Sequence, residues 1–254
     1  MDSSISKILA KLDKPPSAPN WVRFIGDDEH STAKAILRWI RAIPPFTYQP
    51  AARVCKDRIE LGISLRDGLT AVDRSGAPAG RGSNSSLVRA FFEYDQDRRY
   101  SARNPMQSAR EYFRVSRDIL VPVEALSVIV EERQIVPVFL CGWSKLPLTT
   151  RQRRLLVTIY EDAYFSLTDF QNSPGEMLFF PKSKEGERDS ELWMRGDYQL
   201  LTDSELREDV EKFILARDLV RKLLVERHRD SVTRPDETDG TKDEGRQPDL
   251  FRKE

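Results

Sequence analysis

Residues 112–143, YFRVSRDILVPVEALSVIVEERQIVPVFLCGW, decide how this chain folds. Three short segments rich in β-branched and aromatic residues follow one another: Tyr112 to Val123, Leu126 to Val130 and Ile135 to Cys141. Such side chains suit the pleated, half-buried surface of a sheet, so the stretch predicts strands. Val136 to Trp143 is apolar with little alternation, the pattern of a strand covered on both faces. Pro122 and Pro137 cannot donate to a ladder, which assigns them to sheet edges or strand ends.

Working outward, the period changes. Upstream, residues 1–20 hold a small amphipathic piece (Ile5, Ile8, Leu9, Leu12) and a break at Pro15-Pro16-Ser17-Ala18-Pro19. A helix is predicted from Ser31, as N-cap, to Ala42, with Ala35, Ile36, Trp39 and Ile40 on one face and Pro44-Pro45 as the stop. Between Arg53 and Asp73 the alternation of Arg58 to Ile63 reads as a strand, paired across Arg66-Asp67 with Gly68 to Val72. A flexible loop with Gly76, Gly80 and Gly82 precedes a helix from about Asn84 that carries Leu87, Val88, Phe91 and Phe92. Downstream, Thr149-Thr150 open a helix with Leu155, Leu156, Ile159, Tyr160 and Ala163 at helical spacing. Pro174-Gly175 introduces a strand, Glu176 to Phe180, and a charged loop, 182–191, leads to Leu192-Trp193-Met194. A long helix follows from Asp203 to Arg229, with Thr202 and Glu205 at capping-box spacing and Leu206, Val210, Phe213, Val220 and Leu224 as its stripe. The prediction is an α/β chain of the α+β type, with a mixed or antiparallel sheet and flanking helices. One folded body spans residues 21–228, behind an N-terminal segment, 1–20, and ahead of a disordered tail, 229–254.

Composition limits the function classes. The 254 residues are 39% hydrophobic and 32% charged, enough for a sizeable core under a charged surface. Forty-one basic and forty-one acidic side chains cancel, so attraction to nucleic acid must be local. Cys55 and Cys141 lack paired spacing and read as reduced core thiols. His30 and His228 have no ligand partners at metal spacing, so no metal site is expected. The first residues, MDSSISKILAKLDKPP, are too polar for a signal peptide, and no stretch is long and apolar enough to span a bilayer, so a cytoplasmic protein without a membrane partner is expected.

The tail is the most informative segment. Residues 229–246, RDSVTRPDETDGTKDEGR, contain one valine and no other large apolar side chain, so they cannot offset the entropy of ordering. Against that background Leu250 and Phe251 stand out as anchors of a short linear motif. Gln247-Pro248-Asp249-Leu250-Phe251 resembles the pentapeptide by which bacterial polymerases, mismatch-repair proteins and other replication-linked factors dock on the sliding clamp. The resemblance implies that the Gln247 amide hydrogen-bonds at the pocket rim, that Leu250 and Phe251 fill a hydrophobic cleft, and that Asp249 supplies the acidic residue before them. Pro248 departs from the leucine usual in that family, removing an apolar contact and an N–H while stiffening the peptide, which implies weaker docking. A spacer of eighteen residues averages roughly 20–25 Å, so a docked peptide would hold the body near DNA at high effective concentration.

Two basic clusters are candidate nucleic-acid contacts. Residues 89–117 carry Arg89, Arg98, Arg99, Arg103, Arg110, Arg114 and Arg117, interleaved with aromatics and with Glu93, Asp95, Asp97 and Glu111. Arg151, Arg153 and Arg154 form a second cluster, with Lys145 upstream, at a predicted helix start, where free N–H groups add to a phosphate-attracting field. Carboxylates for a magnesium-dependent nuclease would be Asp118 with Glu131 and Glu132 on neighbouring strands, or Glu161, Asp162 and Asp169. Neither set precedes an acid-x-lysine strand. Gly76 to Gly82 lacks the Gly-Lys-Ser/Thr ending of a phosphate loop, and two histidines supply no Ser-His-Asp or Cys-His set. Three readings stand: a replication or repair accessory factor that docks on the clamp and touches DNA without a cofactor; a clamp-tethered nuclease using magnesium; and an interaction subunit that makes no nucleic-acid contact.

Overall fold

The computed structural model describes residues 3–103 and 110–233, so the expected docking peptide and all of the predicted tail after residue 233 lie outside the described residues. The chain is α+β, as its patterning predicts. Five helices come first: α1 (Ser3–Leu12), α2 (Ala18–Val22), α3 (Glu29–Arg41), α4 (Gln49–Leu61) and α5 (Leu65–Arg74). After a 3-10 turn at Pro78–Gly80 and α6 (Arg81–Asp95) come the strands β1 (Ala102–Arg103), β2 (Arg110–Arg114), β3 (Leu120–Glu124), β4 (Ser127–Glu131) and β5 (Gln134–Cys141). Helix α7 (Thr150–Tyr160) runs into a π-helical turn (Glu161–Phe165), followed by β6 (Glu176–Phe179), β7 (Glu191–Met194) and α8 (Asp203–Thr233).

The main sheet has the order β1-β4-β5-β6-β7 and is antiparallel except where β5 and β6 run parallel, joined by the α7 crossover. Strands β2 and β3 form a separate antiparallel hairpin. Because successive strand side chains point to opposite faces, the apolar run of β5 serves two cores at once. Val136 and Val138 join Val54, Ile59, Leu87 and Phe91 of the α4–α6 layer. Phe139 and Cys141 join Leu155, Ile159, Phe213 and Val220 of the α7 and α8 layer, which also takes in α2, α3 and the β2–β3 hairpin. Strand β6 and the residue after it divide likewise, Met177 and Phe179 to one side, Leu178 and Phe180 to the other. Cys55 and Cys141 are both buried, one in each layer.

Pro137 lies inside β5 and not at its end, opposite Val128 of β4. Pairing with β6 begins only at Val138, so no β6 residue stands opposite the proline.

The hairpin expected between Arg53 and Asp73 is two helices. Leu61 is 72% exposed, whereas Ala51, Val54, Cys55 and Ile59 are buried at helical spacing, so the short alternation at 58–63 was a coincidence within a longer helical stripe. Gly62 ends α4 at φ +68°, and the Ser64 hydroxyl accepts the Asp67 N–H to start α5. The segment expected as a flexible glycine loop contains the 3-10 turn, with Gly80 close against the Phe46 ring. Helix α3 begins earlier than expected: Asp28 is the N-cap, its carboxylate accepting the Ser31 N–H at 2.7 Å while the Ser31 hydroxyl accepts the Asp28 N–H at 3.2 Å. Helix α8 continues through His228 to Thr233, past its expected end.

Candidate functional site

Arg98 is no surface residue. It leaves the end of α6, lies over the rings of Tyr94 and Tyr100, and is only 11% exposed. Its guanidinium is gripped by Glu131 of β4 and by the buried Glu176 of β6, with a 2.9 Å bond from Nη2 to one Glu176 oxygen. The Tyr94 hydroxyl donates to Glu176 at 2.7 Å, and burial, then the Glu176 charge, pushes the Tyr94 phenol far above its ordinary range. Beside it, Arg58 donates to the fully buried Asp95 at 2.6 Å, and the Tyr100 hydroxyl donates to the same carboxylate. This ionic network joins α4, α6, β4 and β6, so Arg98 belongs to the interior and is withdrawn as a phosphate contact.

The cluster at 151–154 is equally committed. Arg151 donates to both oxygens of Asp209, at 3.1 and 3.0 Å, and to Glu208 at 3.1 Å. Arg153 donates to the Tyr198 hydroxyl at 3.0 Å and lies over the Trp193 ring. Arg154 holds Glu205 through two 3.0 Å bonds and caps the carbonyls of Gln199 and Leu200. The Thr149–Gln152 capping box at the start of α7 aims all three at α8 and β7. Their acids stand roughly forty to sixty residues away in the chain, which is why the local sequence showed a cluster with no acid in it.

The remaining arginines differ. Arg110 is exposed and donates from Nε and Nη2 to one Glu124 oxygen across the hairpin, at 2.9 and 2.7 Å, and Glu124 holds its guanidinium pKa above the ordinary value. Arg103 pairs through its backbone with Ile129. Arg89, Arg99, Arg114 and Arg117 are exposed and have no acidic partner among the described residues, the last two near the free end of the β2–β3 hairpin.

The structure separates the expected carboxylates. Asp118 lies in the β2–β3 turn, whereas Glu131 and Glu132 lie at the β4–β5 hairpin of the other sheet, where Glu132 and Arg133 take φ +50° and +65°. Glu131 is held by Arg98, and Glu161 receives Arg195 at 2.7 Å. Among the described residues no group of three or more His, Cys, Asp and Glu side chains could hold a metal.

A cleft that sequence reading missed opens between α4 and β3. Its volume is about 530 Å³, and its floor is formed by Phe139 and Tyr160, whose rings stack at 4.4 Å. Leu126, Leu140 and Val123 extend the apolar lining, and Arg53, Lys56 and Arg110 stand around it. Only Arg53, an unexplained cation on α4, could have hinted at it, and only with the helix assigned correctly.

No known protein family, curated protein or solved structure matches this chain.

Proposed function

We propose that this chain is an accessory factor of bacterial DNA replication or repair that attaches to the sliding clamp through Gln247, Asp249, Leu250 and Phe251. The observation that carries the reading is the pentapeptide itself, an amide, an acid and two adjacent apolar anchors behind a polar spacer. No described helix is long and apolar enough to cross a membrane, which agrees with work at a cytoplasmic replication site. The body contributes to such a complex as a preformed unit. Its basic residues at 151–154 serve α8 and β7, so DNA contact rests on Arg89, Arg99, Arg114 and Arg117, and Arg110 keeps its charge largely neutralised by Glu124. Among the described residues no constellation of carboxylates favours nuclease chemistry.

The test is binding of a fluorescent peptide spanning residues 241–254 to a bacterial sliding clamp, beside the Leu250→Ala/Phe251→Ala double variant. Binding at about 1–100 μM, lost in the double variant, is expected for a linear motif with one apolar contact fewer than the family pattern. Equal binding by both peptides, or none at high micromolar clamp, would overturn the reading.

A further inference from the structure

The cleft between α4 and β3 has the make-up of a small-molecule site, and it stands apart from the clamp-docking reading. Its volume of about 530 Å³ lies within the roughly 300–1,000 Å³ typical of ligand pockets. Tyr160 on its floor is 4% exposed, and its hydroxyl, without a protein hydrogen-bond partner among the described residues, is not fully enclosed, so water or a ligand can reach it. Burial raises its pKa far above the ordinary value, so the hydroxyl keeps its proton and can donate.

The rim has a sign. Three of the lining side chains are cationic, Arg53, Lys56 and Arg110, against the single carboxylate of Glu124. Glu124 is already held by Arg110, and Lys56 is shared with Glu60 at 3.7 Å. Arg53 is exposed and has no acidic partner among the described residues. It projects from the first turns of α4, whose N-terminus has no side-chain cap, so the helix dipole adds to its field. An apolar floor, a hydroxyl that solvent can reach and an exposed guanidinium are independent features that suit different parts of one ligand.

We propose that this cleft binds a small amphipathic carboxylic acid. Its carboxylate meets Arg53, its apolar body lies on Phe139, Tyr160, Leu126 and Leu140, and a second polar group accepts the Tyr160 hydroxyl.

Calorimetric titration of the full chain with decanoate, 10-hydroxydecanoate and decyltrimethylammonium tests this. Both acids bind and the cation does not, with 10-hydroxydecanoate the tighter acid. Arg53→Ala weakens both acids about tenfold, the worth of one partly exposed charge-assisted hydrogen bond, and Arg53→Lys restores part of the loss. Tyr160→Phe keeps the ring stacked on Phe139 and abolishes the preference for the hydroxy acid while decanoate binding stays. Thermal melts confirm that each variant is folded. The proposal fails if neither acid binds more tightly than about 1 mM. It fails equally if the cation binds as well as the acids, or if Arg53→Ala leaves both affinities unchanged.

Discussion

At the scale of single residues, the balance between burial and pairing assigns the arginines their roles. Arg98 places one guanidinium between two carboxylates, Glu131 and Glu176, in a site from which water is largely excluded. Removing one partner from such a site leaves uncompensated buried charge, which costs far more than the pair contributes. Arg98→Ala is therefore expected to lower the unfolding free energy by about 3 kcal/mol, read from denaturant titration at neutral pH. A loss below about 1 kcal/mol would mean that the site is solvated like a surface pair. In sequence, Arg98 and Arg99 are indistinguishable neighbours in a mixed-charge run. The difference appears only because Glu131 and Glu176 converge on one of them from strands thirty-three and seventy-eight positions away.

At the scale of elements, the junction of α7 and α8 shows how capping and ion pairing combine. Glu205 accepts the Thr202 N–H at 2.8 Å, and the Thr202 hydroxyl accepts the Glu205 N–H at 3.3 Å, completing the capping box that the spacing predicts. The backbone bond from Thr202, and then the side-chain bonds from Arg154, hold the Glu205 carboxyl at about 2, below its ordinary 4.5. A folded pKa below the unfolded one contributes stability that is present above pH 4.5 and is lost as pH falls toward 2. Glu205→Gln should therefore flatten the acid limb of the stability profile between those values, with the two proteins converging near pH 2. Parallel limbs in urea titrations across that window would contradict it. Elements whose patterns run long were legible in this way: α8, α7, and β4 with β5. The pair α4 and α5 was not. A six-residue alternation favoured strands there, and the deciding fact, which side of each residue meets α6, is not local.

At the scale of the whole molecule, charge is spent inward. The sheet lies between two helical layers, and the acids of α8 and the strands neutralise Arg98, Arg110, Arg151, Arg153 and Arg154, which seemed available to DNA. Few of the arginines singled out for DNA are left unpaired, so contact through them should be weak, with a shallow salt slope, since that slope scales with the number of phosphates neutralised. The double variant Arg114→Ala/Arg117→Ala is expected to leave stability within about 0.5 kcal/mol of the parent, since neither side chain has an acidic partner among the described residues. It should lower the slope of log affinity against log salt for DNA retention by about 2, as expected for two lost phosphate contacts. An unchanged slope would move the body into the class of interaction subunits without DNA contact.

The chain by itself determined its class of fold, its strand-rich centre, its long last helix and the peptide that motivates clamp docking, because each rests on composition or on a period carried within a few residues. Which cations are free, which carboxylates are neighbours and where a ligand could enter were decided only by tertiary structure. Those properties belong to pairs of residues tens of positions apart, and charge says nothing of its partner until the backbone has brought the two together.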